Sequence, residues 1–381
     1  VSAVAPERRD LRRFFLSGEG WPYLLVPFIP LAVALSVVGA ADAVTFFVSA
    51  LGVIPTAALM GRATEELAER SGPGVGGLLN VTFGNAPELI IALFALGSGL
   101  HEVVKASLVG SVLGNILLVL GASMLVGGIR NPPRQAFDRV AASAQSSLLL
   151  LSAAAMALVA AFQLIDGRGL PSPSAERQGF GVGVERISFA IAVVMVLIYG
   201  AYLVFSLRTH RALFNPPEPP DPDEPTREPW TVRRSVALLA LAGVAVGVMS
   251  EILVGSVGAA AKAIGLSEFF IGAIVIAIVG NAAEHWVAVL VAAKNKMDLA
   301  VNIAIGSSVQ IAIFVLPLLV LLSWLIGPGP MPMVFNGLEV VALLVAVLIA
   351  NQVTNEGEST WFEGLLLLAV YVVLGLAFAF A

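Results

Sequence analysis

The sequence predicts an all-α polytopic membrane protein: about eleven transmembrane helices, with one N-terminal helix followed by two inverted five-helix repeats. Three observations predict it. The 381 residues are 58% hydrophobic and 12% charged, against roughly 25% charged in a soluble globular protein. Apolar runs of about 20 residues, the length a spanning helix needs, recur along the whole chain. A Gly-Asn-Ala-x-Glu motif occurs twice, as Gly84-Asn85-Ala86-Pro87-Glu88 and as Gly280-Asn281-Ala282-Ala283-Glu284.

Hydropathy and turn residues place the spans near 22–40, 43–61, 77–97, 104–127, 140–163, 185–207, 234–260, 269–293, 299–326, 335–351 and 361–380. The first run follows Arg8, Arg9, Arg12 and Arg13, and Ala41-Asp42-Ala43 resembles a cleavage site. It exceeds the roughly 7–15 residues of a signal-peptide apolar region, so it is read as a membrane helix. The longest polar break contains Pro216-Pro217-Glu218-Pro219-Pro220-Asp221-Pro222, a composition that forms an extended linker. The chain therefore divides into an N-terminal cytoplasmic segment with the first helix (1–41), a first five-helix repeat (42–207), a Pro-rich cytoplasmic linker (208–233) and a second five-helix repeat (234–381). A Gly-, Pro- and Ser-rich loop at 164–183 is a lesser break.

Charge sets the orientation. With the N-terminus inside and loops assigned alternately, the 21 Lys and Arg residues divide into 16 inside and 5 outside, the latter being Lys105, Arg168, Arg177, Arg186 and Lys262. The positive-inside rule expects this sign, giving a cytoplasmic N-terminus and an external C-terminus.

The two motifs differ in number by 196, and the same offset carries Gly110-Ser111 onto Gly306-Ser307. One helix followed by five plus five puts the motifs on spans three and eight. Five is odd, so these spans cross in opposite directions. Inverted repeats of this kind build secondary transporters, whose substrates bind near the midplane between the halves.

Several chemistries are excluded or disfavoured. There are no cysteines, which removes disulfides and thiolate sites. His101, His210 and His285 are too scattered for a zinc site. The net charge of −5 comes with no basic block suited to nucleic acid. No HExxH or GxSxG appears in the spans, which leaves a membrane-embedded metalloenzyme the weakest reading, and no cofactor is implied.

Glu88 and Glu284 carry the chemistry. An ionised carboxylate at the bilayer centre costs about 2.5–3.5 kcal/mol on insertion scales. Neither glutamate has a Lys or Arg within one turn of its own helix, so each needs a proton, a bound cation or a partner on another helix. Two carboxylates facing each other across a repeat axis repel, and either a divalent cation or a proton relieves the repulsion. Competition for one site is the physical basis of exchange. Asn85 and Glu88 are three residues apart, as are Asn281 and Glu284, so each pair shares a helix face. Amide and carboxylate oxygens suit a hard cation such as Ca²⁺, which takes 6–8 oxygens. Gly84 with Pro87, and Gly280 in the second copy, can loosen the helix; Pro87 removes one backbone bond and frees a carbonyl, as the broken helices of transporters do. Ser111 with Asn115, and Ser307 with Gln310, form a second polar set on the following helices; interhelical packing glue is the alternative. Glu65, Glu66 and Glu251 are candidates for the two mouths of a pathway, or for solvated and interfacial positions. Gln145 gives span five a polar face, either gate or glue. Glu339 falls near the outer interface. His285 points about 100° away from Glu284 and is read as structural.

At these residues the chain resembles the calcium/proton antiporter (CAX) family of the cation/calcium exchanger superfamily. The matching stretches are Gly77 to Gly128, containing Asn80-Val81-Thr82-Phe83-Gly84-Asn85-Ala86-Pro87-Glu88, then Val279 to His285, Lys294-Asn295-Lys296-Met297-Asp298, and Gly306-Ser307-Ser308-Val309-Gln310. The resemblance implies that Glu88 and Glu284 bind Ca²⁺ and protons alternately. It also implies that Asn85, Asn281, Ser111, Ser307 and Gln310 line the site, and that spans two and seven slide as gates. Sodium-coupled members carry Ser or Thr where Asn85 and Asn281 stand, which favours H⁺ as counter-ion; Na⁺-coupled Ca²⁺ exchange and Mn²⁺/H⁺ exchange are the alternatives. The implied setting is a prokaryotic plasma membrane, with the lipid bilayer, Ca²⁺ and H⁺ as partners and a homo-oligomer as a further option. The linker acids Glu218, Asp221, Asp223, Glu224 and Glu228 are too scattered among prolines to form the acidic regulatory helix of some members.

Overall fold

The computed structural model describes residues 20–167, 169–172, 179–210 and 230–381. The N-terminal arginines, Arg168, Arg177 and linker residues 211–229 lie outside the described residues. The described chain is almost wholly helical: α1 (Trp21–Val38), α2 (Asp42–Phe83), α3 (Ala86–Gly97), α4 (His101–Arg130), α5 (Arg139–Ile165), α6 (Val182–Thr209), α7 (Val232–Ile264), α8 (Glu268–Ala293), α9 (Met297–Leu322), α10 (Gly337–Thr354) and α11 (Trp361–Ala379). Ten of the spans among the described residues hold at least 18 apolar-rich residues, and Ala86–Gly97 is a shorter apolar helix. A two-residue antiparallel pairing, β1 (Gln135–Ala136) with β2 (Glu358–Ser359), joins two connecting loops.

The boundary between spans two and three differs from the hydropathy reading. Helical conformation runs unbroken from Asp42 to Phe83, 42 residues. At 1.5 Å per residue that is about 63 Å, twice the roughly 30 Å hydrocarbon core. The axis does not run straight. Gly76 packs directly on the Ala68 carbonyl, whereas residues eight apart in a straight helix lie about 12 Å apart. The chain therefore turns back without leaving helical conformation, and the actual interruption falls at Gly84-Asn85, inside the third span.

Helix-end contacts support the alternation. Arg70 bonds the Trp230 carbonyl, Gln135 bonds Asn295, and Arg134 pairs with Glu358. All of these belong to loops counted on the inner side. Gly99 lies against Pro328, Lys105 donates to the Val334 carbonyl, and Gly337 faces Leu170, all on the outer side. Lys105 itself departs from the loop assignment. It lies in α4, 1% exposed, and pairs with Glu102 at 2.6 Å. That i,i+3 partner makes burial of the ammonium tolerable. Glu339, also expected near the outer interface, is buried at the start of α10, where it closes a capping box with Asn336.

The leading helices of the two repeats, α2 and α7, pack along each other as an antiparallel pair: Gly52 faces Met249 and Gly243 faces Met60. They meet the third span through a small apolar cluster of Met60, Ala86, Ala242 and Val246, separate from the main core. In the main core α4 and α8 touch backbone to backbone. Gly110 packs directly on the Ala273 carbonyl, and a Cβ on Gly272 would stand 3.1 Å from the Val103 carbonyl. Small residues at such crossings permit the close approach that membrane helices use in place of a hydrophobic driving force.

Gly110→Ala is expected to push α4 from α8 and cost about 1–3 kcal/mol through overpacking. Gly97→Ala, with nothing within 4 Å, is expected to stay within about 0.5 kcal/mol of the parent. Thermal unfolding of the detergent-solubilised protein checks both.

Candidate functional site

Pro87 explains the break in the third span. Proline lacks the N–H that would bond back one turn, and its ring clashes with that carbonyl. It is well tolerated in the first turn of a helix, and α3 restarts at Ala86 with Asn85 at its N-cap position (φ −101°, ψ 25°). Glu88 thereby falls in the first turn of a helix. Unsatisfied N–H groups and the helix dipole favour negative charge there. The second copy differs from expectation: with Ala283 in place of Pro87, helix continues from Ala277 to Ala293 straight through Gly280-Asn281. A lone glycine does not break the helix. The irregularity comes earlier, as a π-turn at Ile271–Ile276, the wide-turn geometry common at functional sites.

Gly280 serves close approach instead. A Cβ on it would stand 3.0 Å from Glu88 Oε1, so the first-repeat carboxylate lies over second-repeat backbone. Glu88 is 8% exposed and lines a small cavity with Ile91, Ser107, Leu108, Ser111, Ile276 and Gly280. On the same side Asn281 Nδ2 donates to Ser111 Oγ (3.1 Å) and to the Ala277 carbonyl (3.0 Å). Asn281 Oδ1 is buried with no hydrogen-bond partner.

The pseudo-symmetric half makes the mirrored bond: Ser307 Oγ donates to Asn85 Oδ1 at 2.8 Å. Each motif asparagine therefore pairs with the serine of the other repeat. Asn85 Nδ2 donates to Gln310 Oε1 at 2.7 Å, and Asn115 Nδ2 donates to Ser307 Oγ at 3.2 Å. His285 Nε2 lies 3.0 Å from Asn115 Oδ1. That amide oxygen can only accept, so the imidazole donates from Nε2. The result is one directed chain, His285 to Asn115 to Ser307 to Asn85 to Gln310, crossing four helices. π-turns at Gly114–Val119, Asn302–Gly306 and Ile311–Val315 flank these side chains. His285 thus supports the polar network through Asn115. The 100° rotation from Glu284 aims it at α4, which the sequence alone does not reveal. Ser107, one turn before Ser111 and on the same helix face, lines the Glu88 cavity as well.

Glu284 is partly exposed, whereas Glu88 is buried. Among the described residues neither Glu88 nor Glu284 has a Lys or Arg salt-bridge partner, in contrast to Glu102, which pairs with Lys105. Glu65 is exposed. Glu66 turns the other way and leaves the candidate mouth: its Oε2 accepts the Trp230 N–H at 2.6 Å, while Arg62 and Arg234 lie over the Trp230 ring. It secures the start of the second repeat to α2. Glu251 lines a crevice between α1, α2 and α7 with Asp42, Ser36 and Thr45. Gln145 Nε2 donates to Asn302 Oδ1 (3.2 Å) and Tyr202 OH (3.4 Å) and faces Gly306, so it sits behind the Ser307 turn. Gly84 lies 3.6 Å, by its would-be Cβ, from Gln310 Oε1.

A family model described as sodium/calcium exchanger protein matches residues 42–208 and 234–380, either side of the linker. The Ca(2+)/H(+) antiporter of Synechocystis is 44% identical over 375 residues, covering 94% of this chain and 96% of that protein. The Ca(2+)/H(+) antiporter ChaA of Bacillus subtilis is 43% identical over 355 residues, covering 93% and 97%. Among solved structures, native YfkE superposes with a TM-score of 0.77 at 40% identity, covering 94% of this chain and all of that one. The H+/Ca2+ exchanger CAX superposes at 0.68 with 16% identity, covering 96% and 93%, a likeness of fold.

Asn115→Leu is expected to leave the half-buried His285 N–H and the Ser307 hydroxyl without their partner and to cost about 1–3 kcal/mol. Ser308→Ala removes only a hydroxyl bonded to its own helix at Ala304 and is expected to cost well under 1 kcal/mol. Melting midpoints of the two variants in detergent check the difference.

Proposed function

This chain belongs to the sodium/calcium exchanger protein family, and we propose that it is a secondary antiporter exchanging Ca²⁺ for H⁺ across a prokaryotic plasma membrane. The observation that carries this reading is the crossed pairing of the two motifs: Asn85 with Ser307, Asn281 with Ser111, and Glu88 over Gly280. It brings Glu88 together with neutral oxygens of both repeats, and among the described residues neither Glu88 nor Glu284 has a Lys or Arg salt-bridge partner.

Glu88 and Glu284 are the exchanging groups. When Ca²⁺ is bound, both carboxylates face it, together with Asn281 Oδ1, Asn85 Oδ1, Ser111, Ser307 and Gln310. Asn115 and His285 hold Ser307 and Asn85 in register, and Gln145 supports the Ser307 turn from behind. When Ca²⁺ leaves, protons take over the charge, because two carboxylates close together in a medium of low dielectric cannot both remain bare. Two charged ligands among neutral oxygens is a modest charge count for Ca²⁺, which suits an ion that must depart. Alternating access falls to α2 and α7, which join the main core through Phe46, Val53, Met249 and Leu253 and meet the third span through a separate small apolar cluster. The N-terminus lies in the cytoplasm and the C-terminus outside. The Asn residues at 85 and 281 favour H⁺ over Na⁺ as the coupled ion.

In membrane vesicles, an imposed pH gradient is expected to drive Ca²⁺ uptake, and Glu88→Gln or Glu284→Gln to abolish it; uptake surviving in both variants would contradict the mechanism. Sodium dependence without proton dependence would select Na⁺-coupled exchange. Gly280→Ala is expected to displace the Glu88 carboxylate and raise the half-saturating Ca²⁺ concentration about tenfold, a ΔΔG of roughly 1.4 kcal/mol. Because protons compete, the half-saturating Ca²⁺ concentration is expected to rise as pH falls on the Ca²⁺-loading face. Initial rates of radioactive Ca²⁺ uptake measure all three.

A further inference from the structure

The turn that joins α3 to α4 and the turn that joins α8 to α9 are copies of each other at the offset of 196. Gly99 N–H donates to the Leu96 carbonyl at 3.0 Å and Leu100 N–H to the Ala95 carbonyl at 2.9 Å. In the second repeat Asn295 N–H donates to the Ala292 carbonyl at 3.0 Å and Lys296 N–H to the Val291 carbonyl at 2.9 Å. Gly99 (φ 78°) and Asn295 (φ 62°) are both left-handed, the conformation that closes a helix in this way. Each turn ends the helix of a membrane glutamate, Glu88 or Glu284, and opens the helix of the serine that serves the other repeat, Ser111 or Ser307.

Both turns are held by the opposite repeat, and at matching positions. On the side counted as inner, the α8–α9 turn meets first-repeat residues 131–138. Gln135 Nε2 donates to the Ala292 carbonyl at 3.0 Å and to Asn295 Oδ1 at 2.9 Å, and Asp138 N–H donates to Asp298 Oδ1. On the side counted as outer, the α3–α4 turn meets second-repeat residues 327–334. The Gly327 backbone packs on the Leu96 carbonyl, and Gly99 lies against Pro328. Lys105 Nζ donates to Glu102 Oε1 at 2.6 Å and to the Val334 carbonyl at 2.7 Å. The offset of 196 carries Leu96 onto Ala292, Glu102 onto Asp298 and Asp138 onto Val334, so the two clamps join equivalent places. The bracing behind them corresponds as well. Gln135 lies directly on Gly127, and at their counterparts Met331 N–H donates to Ser323 Oγ at 2.8 Å. Only the chemistry differs. A neutral amide, Gln135, keys the inner clamp and an ammonium, Lys105, keys the outer one; each is 1% exposed.

We propose that Gln135 and Lys105 are positioning residues: each keys a clamp at one end of the bundle, and the two clamps together hold the repeats at the spacing at which Asn85 meets Ser307 and Asn281 meets Ser111. The site is built from side chains of both repeats, so its geometry is only as exact as the spacing between them. Binding constellations need their groups held to within about 0.5 Å by the residues behind them. Both turns lie at helix ends, where an axial slip of α8 and α9 against α4 moves Glu284 and Ser307 together. Removing the Gln135 amide frees the inner turn and leaves the Ala292 carbonyl without its cross-repeat donor. Removing the Lys105 ammonium frees the outer one and strands the buried Glu102 carboxylate.

The inference rests on the antiport reading and is tested by initial rates of radioactive Ca²⁺ uptake into vesicles, normalised to folded protein. Gln135→Leu is expected to raise the half-saturating Ca²⁺ concentration about threefold or more. Glu102→Gln combined with Lys105→Met, which removes both buried charges together, is expected to do the same. Gln163→Leu is the control: Gln163 is equally buried but donates within its own repeat, to the Gly169 carbonyl at 3.3 Å. It is expected to lower the melting midpoint and leave the half-saturating concentration unchanged. The chain has no cysteine, so Asp138→Cys with Asp298→Cys places the only two thiols across the inner clamp. Joining them with a short thiol-reactive linker is expected to leave exchange by that pair unchanged, and to return the value to within about twofold of the parent when Gln135→Leu is added. An unchanged half-saturating concentration in Gln135→Leu and in the charge-free variant, an equal rise in Gln163→Leu, a rise that the linker does not reverse, or a linker that stops exchange overturns the positioning assignment alone. Absence of exchange by the wild-type protein overturns the antiport reading, and the positioning assignment with it.

Discussion

Exchange as proposed sets the condition that the rest of the structure has to meet: two carboxylates, Glu88 and Glu284, share an apolar interior in which, among the described residues, neither has a Lys or Arg salt-bridge partner. Glu88 is 8% exposed and lies over the backbone of Gly280. An isolated carboxylate at that depth costs several kcal/mol, and a second one nearby adds repulsion. Lysine at this point would answer the cost permanently, as Lys105 does for Glu102 on α4. At the centre the protein offers neutral oxygens and one directed chain of hydrogen bonds instead. The charge is left to be balanced by something mobile, which makes the site suited to exchange.

Meeting that condition requires backbones close enough for one repeat to serve the other. Gly110 on the Ala273 carbonyl and Gly280 beneath Glu88 supply the closeness. The two halves nevertheless achieve it differently. Pro87 splits the third span, so that Glu88 sits at a helix start and enjoys its field; Glu284 sits in mid-helix with no such support. The fold is pseudo-symmetric, but the electrostatics at its two glutamates are not. One chain can thus carry two carboxylates of equal chemistry in unequal surroundings.

Hydropathy made the eleven crossings legible, and the repeated Gly-Asn-Ala-x-Glu made the inversion legible by counting helices. The break at Gly84-Asn85 could be read from Pro87. Gly280 was over-read, because glycine lowers helix stability by only about 1 kcal/mol and tertiary packing overrides that. The turn between Ala68 and Gly76 escaped detection because the chain reverses while keeping helical conformation. Glu66 was grouped with Glu65 by adjacency, although neighbours on a helix point about 100° apart and only one of them can face a pathway. The role of His285 depends on what stands opposite it on α4, information that no single helix carries.

The central claim is that Ca²⁺ and protons occupy the same pair of carboxylates by turns. Counting the protons released into weakly buffered detergent solution per Ca²⁺ bound tests it without vesicles or gradients. The account predicts that Ca²⁺ binding by the parent protein expels protons, and that Glu88→Gln and Glu284→Gln each remove both the binding and the release. Stoichiometric Ca²⁺ binding with no proton release at any pH where the protein is folded would contradict it.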